Sequence, residues 1–309
     1  MDMMTCDVLI IGAGPAGLTA GLYAARSRMN TVVVDKAGAG GYLNMITHLE
    51  NYPGFPAGIS GPQLAQLMAQ QLKNYEVTVN VEEVTGLSAR PPQGYAVTLA
   101  SGVTWQAGAV IIATGSKPRL LSIPGEERLT GRGVSYCAVC DAPFFRGKDI
   151  VVVGGGNTAL EEALYLADFC RTVTLVHRRD AFRADRILQE RVSAHERIHC
   201  LMESVCTEII GLDRVAAVRV QSGRQEPKEF VCQGVFVCIG MDPVTGFLPP
   251  ELSRDDQGFL RTQENLACSL PGIFACGDCR SVSLRQVITA CGEGALAAYQ
   301  ARKTLEHYP

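Results

Sequence analysis

The sequence predicts an α/β chain folded as two three-layer domains, the second inserted into the first. Three observations predict it. The first is a pair of segments of one design, each a Val/Ile-rich strand, a glycine turn and an amphipathic helix. Asp7-Val8-Leu9-Ile10-Ile11 runs into Gly12-Ala13-Gly14-Pro15-Ala16-Gly17 and a helix expected through about Arg28. Ile150-Val151-Val152-Val153 runs into Gly154-Gly155-Gly156-Asn157-Thr158-Ala159 and a helix expected through about Cys170. Strands alternating with helices read as parallel sheets covered on both faces. Two such starts about 140 residues apart read as two domains. The second observation is a matching pair of breaks, Lys117-Pro118 with Ile123-Pro124-Gly125, and Gly240-Met241-Asp242-Pro243. Each follows a buried apolar strand, over 108–115 and 235–239 respectively. The third is the tail, a strand over 272–276 and a helix over about 284–305, too short for a domain of its own. It is read as returning to the first domain. Residues 1–117 and 245–309 then form one domain and residues 118–244 the other.

Composition agrees with this and narrows the function. The chain has 309 residues, 47% hydrophobic and 19% charged, enough for two cores and too apolar for disorder. A net charge of -3 supplies no basic face for nucleic acid. No run approaches the ~18 apolar residues that span a bilayer. Residues 1–6 carry Asp2 and no Lys or Arg, so the positive region of a secretion signal is missing. The expected location is the cytoplasm, without a membrane or nucleic-acid partner. Leu64, Leu67, Met68, Leu72 and Tyr75 recur at helical spacing and are read as core.

The glycine turns carry the first chemistry. Gly12-x-Gly14-x-x-Gly17 opens a helix directly after a strand, where a pyrophosphate can approach the backbone and the positive helix end. Asp35, after the strand over 31–34, completes the Rossmann-like dinucleotide fingerprint with a carboxylate for ribose hydroxyls. Gly154-x-Gly156-x-x-Ala159 repeats the design. The strand after it, over 172–176, ends in His177-Arg178-Arg179, with Arg183 one turn further. Arginine in place of an acid accommodates a 2′-phosphate through forked, charge-assisted hydrogen bonds. The second domain is therefore expected to prefer NADPH to NADH.

Twelve cysteines separate into two groups. Ten, Cys6, Cys170, Cys200, Cys206, Cys232, Cys238, Cys268, Cys276, Cys279 and Cys291, are scattered and read as small buried hydrophobes. The other two form Cys137-Ala138-Val139-Cys140-Asp141. A CxxC can be half a zinc site, and Cys276-x-x-Cys279 is a second pair. That pair flanks Gly277-Asp278 and lies in the other domain, so a redox dithiol without metal is the favoured reading. In a redox role one thiolate attacks a disulfide and the other resolves it. Asp141 can serve as proton donor and acceptor if burial raises its pKa. Gly277-Asp278, Arg285-Gln286, Ala290 and Gly292-Glu293-Gly294 form a candidate ligand edge around the start of the final helix.

Taken together, these residues resemble the bacterial-type low-molecular-weight thioredoxin reductases over essentially the whole chain. The matching pieces include the first glycine turn, Glu50-Asn51-Tyr52-Pro53-Gly54, Ala113-Thr114-Gly115, and Gly131-Arg132-Gly133-Val134 leading to the CxxC-Asp. They continue through Gly154–Thr158, His177-Arg178-Arg179 with Arg183, and Gly277-Asp278. The resemblance implies FAD on the first domain and NADPH on the second. It also implies a hydride passed to flavin and electrons passed on through the Cys137–Cys140 disulfide to thioredoxin or a thioredoxin-like protein. Cys140 is then expected to face the flavin, Cys137 to attack the partner, and Asp141 to be the general acid. A homodimer is implied, as is domain rotation about hinges near 117 and 243. Flavin contacts are implied at Gly41, Tyr42 and Asn51. At Gly40-Gly41-Tyr42 the family carries Gly-Gly-Gln, so an aromatic replaces an amide beside the expected isoalloxazine. That departure keeps a relative fed by ferredoxin in view; a related dithiol oxidase using oxygen is a second rival, and it would not require the arginine cluster. Without turnover, the chain would be a nucleotide-binding sensor.

Overall fold

The computed structural model describes residues 4–46, 48–90, 94–223 and 225–306. It divides into two compact units, Met1–Lys117 with Asp242–Pro309, and Pro118–Met241. The crossing segments β7 (Ser116–Pro118) and β16 (Met241–Pro243) pair with each other as a two-stranded ribbon. The return crossing thus falls within this ribbon, slightly before the position at 244 expected from the glycine-proline break.

Unit one is built around β1 (Met4–Ile11), which starts exposed and ends with Val8, Leu9 and Ile10 fully buried. It pairs in parallel with β2 (Thr31–Asp35) on one side and β6 (Thr104–Ile112) on the other. β3 (Val79–Val81) extends the sheet beyond β2. The outer edge of β6 is divided: its first half pairs antiparallel with β5 (Tyr95–Leu99), its second half parallel with β17 (Ile273–Ala275). On one face lie α1 (Pro15–Arg26), α2 (Gly61–Lys73) and the final helix α7 (Val287–Glu306). The other face is covered by β5, β4 (Val84–Ala89) and side chains such as Leu248, Leu252 and Leu260. That third layer is strand and loop. The stripe on α2 is also narrower than expected: Leu64, Met68 and Leu72 are buried, whereas Leu67 and Tyr75 are exposed.

The contact of α1 with α7 is made by small residues. Ala16, Ala20 and Ala24 face Ala290, Ala297, Ala298 and Ala301 in one core. A Cβ at Gly294 would overlap the Ala16 carbonyl, so glycine there lets the two backbones meet. This approach positions the N-terminal turn of α7 beside the start of α1, where the first glycine turn opens.

Unit two has a fully parallel sheet, ordered β11 (Ile198–Leu201), β10 (Thr172–Val176), β9 (Asp149–Gly154), β15 (Gly234–Cys238) and β8 (Val134–Ser135). Helices α5 (Asn157–Ala167) and α6 (Arg186–Ser193) cover one face; α5 stops three residues before the expected Cys170. The other face holds the short α3 (Glu126–Leu129) and an antiparallel sheet of β12 (Ser204–Ile210), β13 (Ala217–Ser222) and β14 (Lys228–Val231). Both units therefore share one logic, a parallel sheet between helices and an antiparallel layer. Of the ten scattered cysteines, Cys200 is exposed and Cys238 half-buried, against the expectation for both; the other eight are buried. Among the described residues no helix is long and apolar enough to cross a membrane.

Candidate active site

In unit two, β8 leads through Tyr136 into a disulfide between Cys137 and Cys140 with Cα atoms 5.4 Å apart. It encloses the start of the one-turn helix α4 (Ala138–Asp141). Cys137 is the N-cap of α4, and its Sγ accepts the Cys140 backbone N–H at 3.3 Å. A sulfur at a helix start that receives a backbone N–H is placed to carry negative charge. Ser135 braces it: its Oγ accepts the Cys137 N–H at 3.1 Å and donates to the Cys137 carbonyl at 3.3 Å. Burial pushes the Asp141 carboxyl above the ordinary carboxylate range, and a hydrogen bond from Ser135 pulls partly the other way. Asp141 therefore has the environment of a proton donor. Sequence reasoning missed Ser135, a serine two residues before a cysteine, because only the fold turns its hydroxyl toward both Cys137 and Asp141. Both cysteines are half-buried, and Val139 and Phe144 beside them are exposed.

The second glycine turn lies in the same unit. Gly156 begins α5 without a side-chain cap, and a Cβ there would meet nothing within 4 Å. Asn157 and the Asp185 loop clasp one another: Asn157 Nδ2 donates to the Asp185 carboxylate and Asn157 Oδ1 accepts the Asp185 N–H, both at 2.9 Å. Thr158 is exposed, while Ala159 and Gly154 are buried in the turn itself. His177 is buried with its ring against the Gly155 backbone and Nε2 3.1 Å from the Ala181 carbonyl. Burial lowers its pKa, and Arg179, Arg183 and Arg178 add to the effect, so the ring is neutral and shapes the turn. The Arg183 N–H donates to the Gly155 carbonyl at 2.8 Å, bringing the arginine loop to the glycine turn. Arg178, Arg179 and Arg183 are exposed, and none forms an ion pair among the described residues. Three such guanidiniums beside an open helix start suit a phosphorylated ligand.

In unit one the first turn is held from below. Gly12, at φ +106°, gives its N–H to the Val34 carbonyl at 2.8 Å, and a Cβ there would overlap Ala113. Asp35 accepts the Ala13 and Ala37 N–H groups, each at 2.8 Å, which fixes its carboxylate at the end of β2. Pro15 opens α1 without a side-chain cap, and Ala16 and Gly17 are buried behind it. A Cβ at Gly14 would meet nothing within 4 Å, and neither would one at Gly115. Gly41 and Tyr42 begin a short helix packed at Gly14, with the Tyr42 ring exposed. Asn51 donates to Gln286 at 3.0 Å. Thr114 donates to the Val244 carbonyl at 2.7 Å, next to the buried Ala113. Tyr52 donates to Cys291 at 3.7 Å, and Cys291 in turn reaches the Pro15 carbonyl at 3.9 Å. Burial and that sulfur push the Tyr52 phenol up to about 12.

The last part of this edge is Gly277-Asp278. Glu293 accepts the Gly277 N–H at 2.7 Å and pairs with Arg280 through two bonds of 2.9 and 2.8 Å. Glu293 sits within α7, inside the helix expected over about 284–305. Its half-buried pairing with Arg280 was not foreseen; two opposite charges 13 residues apart give no sequence signal of contact. Ala290 is buried on the same helix. The Arg285 guanidinium lies 4.3 Å from the Phe259 ring centre, and its buried Nε has no hydrogen-bond partner among the described residues. An unpartnered buried donor beside open glycine turns fits an anionic dinucleotide, which would supply the missing acceptor. Cys279 donates to the Ile112 and Cys276 carbonyls at 3.4 Å each, and burial pushes its thiol up to about 11. Among the described residues no group of three or more His, Cys, Asp or Glu is arranged to hold a metal.

Burial also pushes Asp278 up to about 6, with Arg285 opposing and Glu293 reinforcing the shift. A carboxyl raised in the folded state costs stability when ionised. The cost is full above pH 6 and disappears as pH falls below its ordinary value of 3.8. Asp278→Asn is therefore expected to stabilise the cofactor-free protein on the order of 2–3 kcal/mol at pH 8, and hardly at all at pH 3.5. Urea unfolding of both proteins at the two pH values checks this.

Comparison with known proteins agrees with this geometry. The profile of the pyridine nucleotide-disulphide oxidoreductase family matches residues 6–294. A thioredoxin reductase of Mycolicibacterium smegmatis is 44% identical over 301 residues, 97% of this chain and 96% of that protein. One from Treponema pallidum is 41% identical, covering 97% of each. The crystal structure of thioredoxin reductase from Streptococcus pyogenes superposes with a TM-score of 0.94 at 42% identity, over 99% of this chain and 100% of that one. Flavin and a nicotinamide nucleotide are the cofactors this family implies, and the two glycine turns and the Cys137–Cys140 disulfide are consistent with them. The chain belongs to the pyridine nucleotide-disulphide oxidoreductase family, in its thioredoxin reductase branch.

Proposed function

We propose that this chain is an NADPH-dependent reductase of thioredoxin or a thioredoxin-like protein, with FAD held by unit one and NADPH by unit two. The observation that carries the reading is a half-buried disulfide beside a raised carboxyl, in the unit whose glycine turn is bonded to the loop of three exposed arginines that form no ion pair among the described residues. Bound flavin supplies the redox step that joins a nicotinamide to a disulfide.

The protein's own residues do the rest. Arg178, Arg179 and Arg183 bind the 2′-phosphate, and the start of α5 at Gly156 takes the pyrophosphate. His177 holds the turn by packing on Gly155. In unit one the start of α1 at Gly14 takes the FAD pyrophosphate, Asp35 the ribose, and Arg285 an anionic or carbonyl oxygen through its buried Nε. Gly41, Tyr42, Asn51, Ala113, Thr114, Gly277, Asp278, Gln286 and Ala290 line the remaining edge. Cys140 receives the electrons; Cys137, exposed enough to be reached, attacks the partner disulfide. Asp141 holds and returns the proton of the thiol pair, and exposed Val139 and Phe144 suit docking of a protein substrate. A homodimer fits the same reading. The arginine cluster favours NADPH over ferredoxin or a small thiol as donor.

Anaerobic titration of the flavin-loaded protein tests the proposal. NADPH is expected to bleach the flavin stoichiometrically and NADH only at much higher concentration, with turnover on adding oxidised thioredoxin. Flavin that stays oxidised under excess NADPH would overturn it.

A further inference from the structure

Phe259 has only 2% of its surface exposed, and the Arg285 guanidinium lies 4.3 Å from the centre of its ring. Among the described residues that ring joins neither apolar core of unit one, although Leu260 beside it does. The Phe259 backbone is fixed from both sides. Asp255 accepts the Phe259 N–H on its carboxylate at 3.0 Å and donates its own N–H to the Phe259 carbonyl at 2.8 Å. Gly258, at φ +90°, makes the turn between them, and Thr245 donates to its carbonyl at 2.9 Å. On the C-terminal side the Leu260 N–H donates to the Cys279 carbonyl at 3.0 Å, which joins the loop to the Gly277–Cys279 segment. A closed turn thus delivers one ring to one guanidinium.

We propose that Phe259 is a positioning residue for Arg285: its ring holds the guanidinium so that the buried Nε–H is left for an acceptor on FAD. The inference rests on the reading of unit one as the FAD domain. A guanidinium drawn out of water needs compensation for the solvation it loses. A carboxylate or carbonyl compensates by accepting N–H groups, and would compete with a ligand for them. At Nε neither does so among the described residues. An aromatic ring attracts the cation through its quadrupole, most strongly where water is excluded, and takes up none of the in-plane N–H donors. The arginine is therefore steadied while its Nε–H stays available to a ligand oxygen. A side chain ordered in advance also loses less rotamer freedom on binding, so the rigid turn at Gly258 contributes to cofactor affinity. If the ring were ordinary filling, its loss would weaken FAD binding equally with and without the guanidinium. Nothing in the sequence pairs the two residues: Phe259 follows an Asp-Asp-Gln-Gly turn, and Arg285 stands before the last helix.

The test measures FAD release from the flavin-loaded full chain on dilution, read as recovered flavin fluorescence, with thermal unfolding of the same samples as the report on folding. Phe259→Leu, apolar but without a ring, is expected to raise the FAD dissociation constant at least about fivefold. Phe259→Tyr, which keeps the ring, should stay within about twofold of the unmodified protein. Arg285→Met should itself weaken FAD. Adding Phe259→Leu to it should change the constant by less than about twofold, because no guanidinium remains to be held. Phe259→Met carries the same expectation as Phe259→Leu should the latter fail to fold. Unchanged FAD affinity in Phe259→Leu would overturn this inference alone, as would an equal loss with and without Arg285. Tyr that fails to restore affinity would do the same. An unmodified protein that neither retains nor rebinds FAD would overturn the placement of FAD in unit one beneath it.

Discussion

Cys137→Ser and Cys140→Ser are each expected to lower thioredoxin reduction by about 10³-fold or more, while NADPH still bleaches the flavin. Residues that act as a unit fail together, because either sulfur alone can neither store the electron pair nor resolve a mixed disulfide. The two variants should differ in one respect. In Cys140→Ser the remaining Cys137 keeps its place at the N-cap of α4, and on the proposed reading it is the sulfur that meets the partner. It should therefore form a lasting mixed disulfide with thioredoxin, visible on a non-reducing gel. Cys137→Ser should form far less of it. Full turnover by either variant would remove this pair from the mechanism. The same adduct in equal yield from both would remove the assignment of Cys137 as the outward sulfur.

The second large effect concerns the arginines. Arg178→Ala with Arg179→Ala is expected to weaken NADPH much more than NADH. A hydrogen bond to a charged group is worth roughly 1.5–3 kcal/mol, so each lost phosphate contact costs about 10- to 150-fold. The fold should survive, because both side chains are exposed and pair with no acid among the described residues. Apparent KM values for the two nucleotides in flavin reduction decide it. If both rise equally, the cluster steers anions in general and does not read the 2′-phosphate. The effect should also shrink with added salt, since exposed charges are screened over about 10 Å at 0.1 M.

Much of the site was legible because its chemistry is local. A glycine turn between a strand and a helix needs its residues at fixed short offsets, so Gly12–Gly17 and Gly154–Ala159 announce themselves. A CxxC on one helical turn does the same, and the structure joins Cys137 to Cys140 with Asp141 raised beside them. The arginines after β10 are likewise one short segment. Helix ends were read less well. The expected helix to Cys170 stops at Ala167. Glycine breaks helices by propensity, yet two of them near the start of α7 are tolerated where Gly294 lets α1 approach. Leu67 and Tyr75 matched the period of a buried stripe but sit at its margins, since periodicity alone does not set the width of the covered face.

The sequence by itself determined the two nucleotide turns, the redox pair, the arginine cluster and the α/β class, because each rests on bonds or contacts between residues within a few positions of one another. Tertiary structure alone decided which distant groups meet. It placed Glu293 against Arg280 and Gly277, and Glu162 against Cys238. It also decided that antiparallel strands and loops cover the second face of each parallel sheet. The reason is the same in each case. Burying a charge or covering a sheet is settled by whichever segment folds back to supply the partner, and that choice depends on the packing of the whole chain.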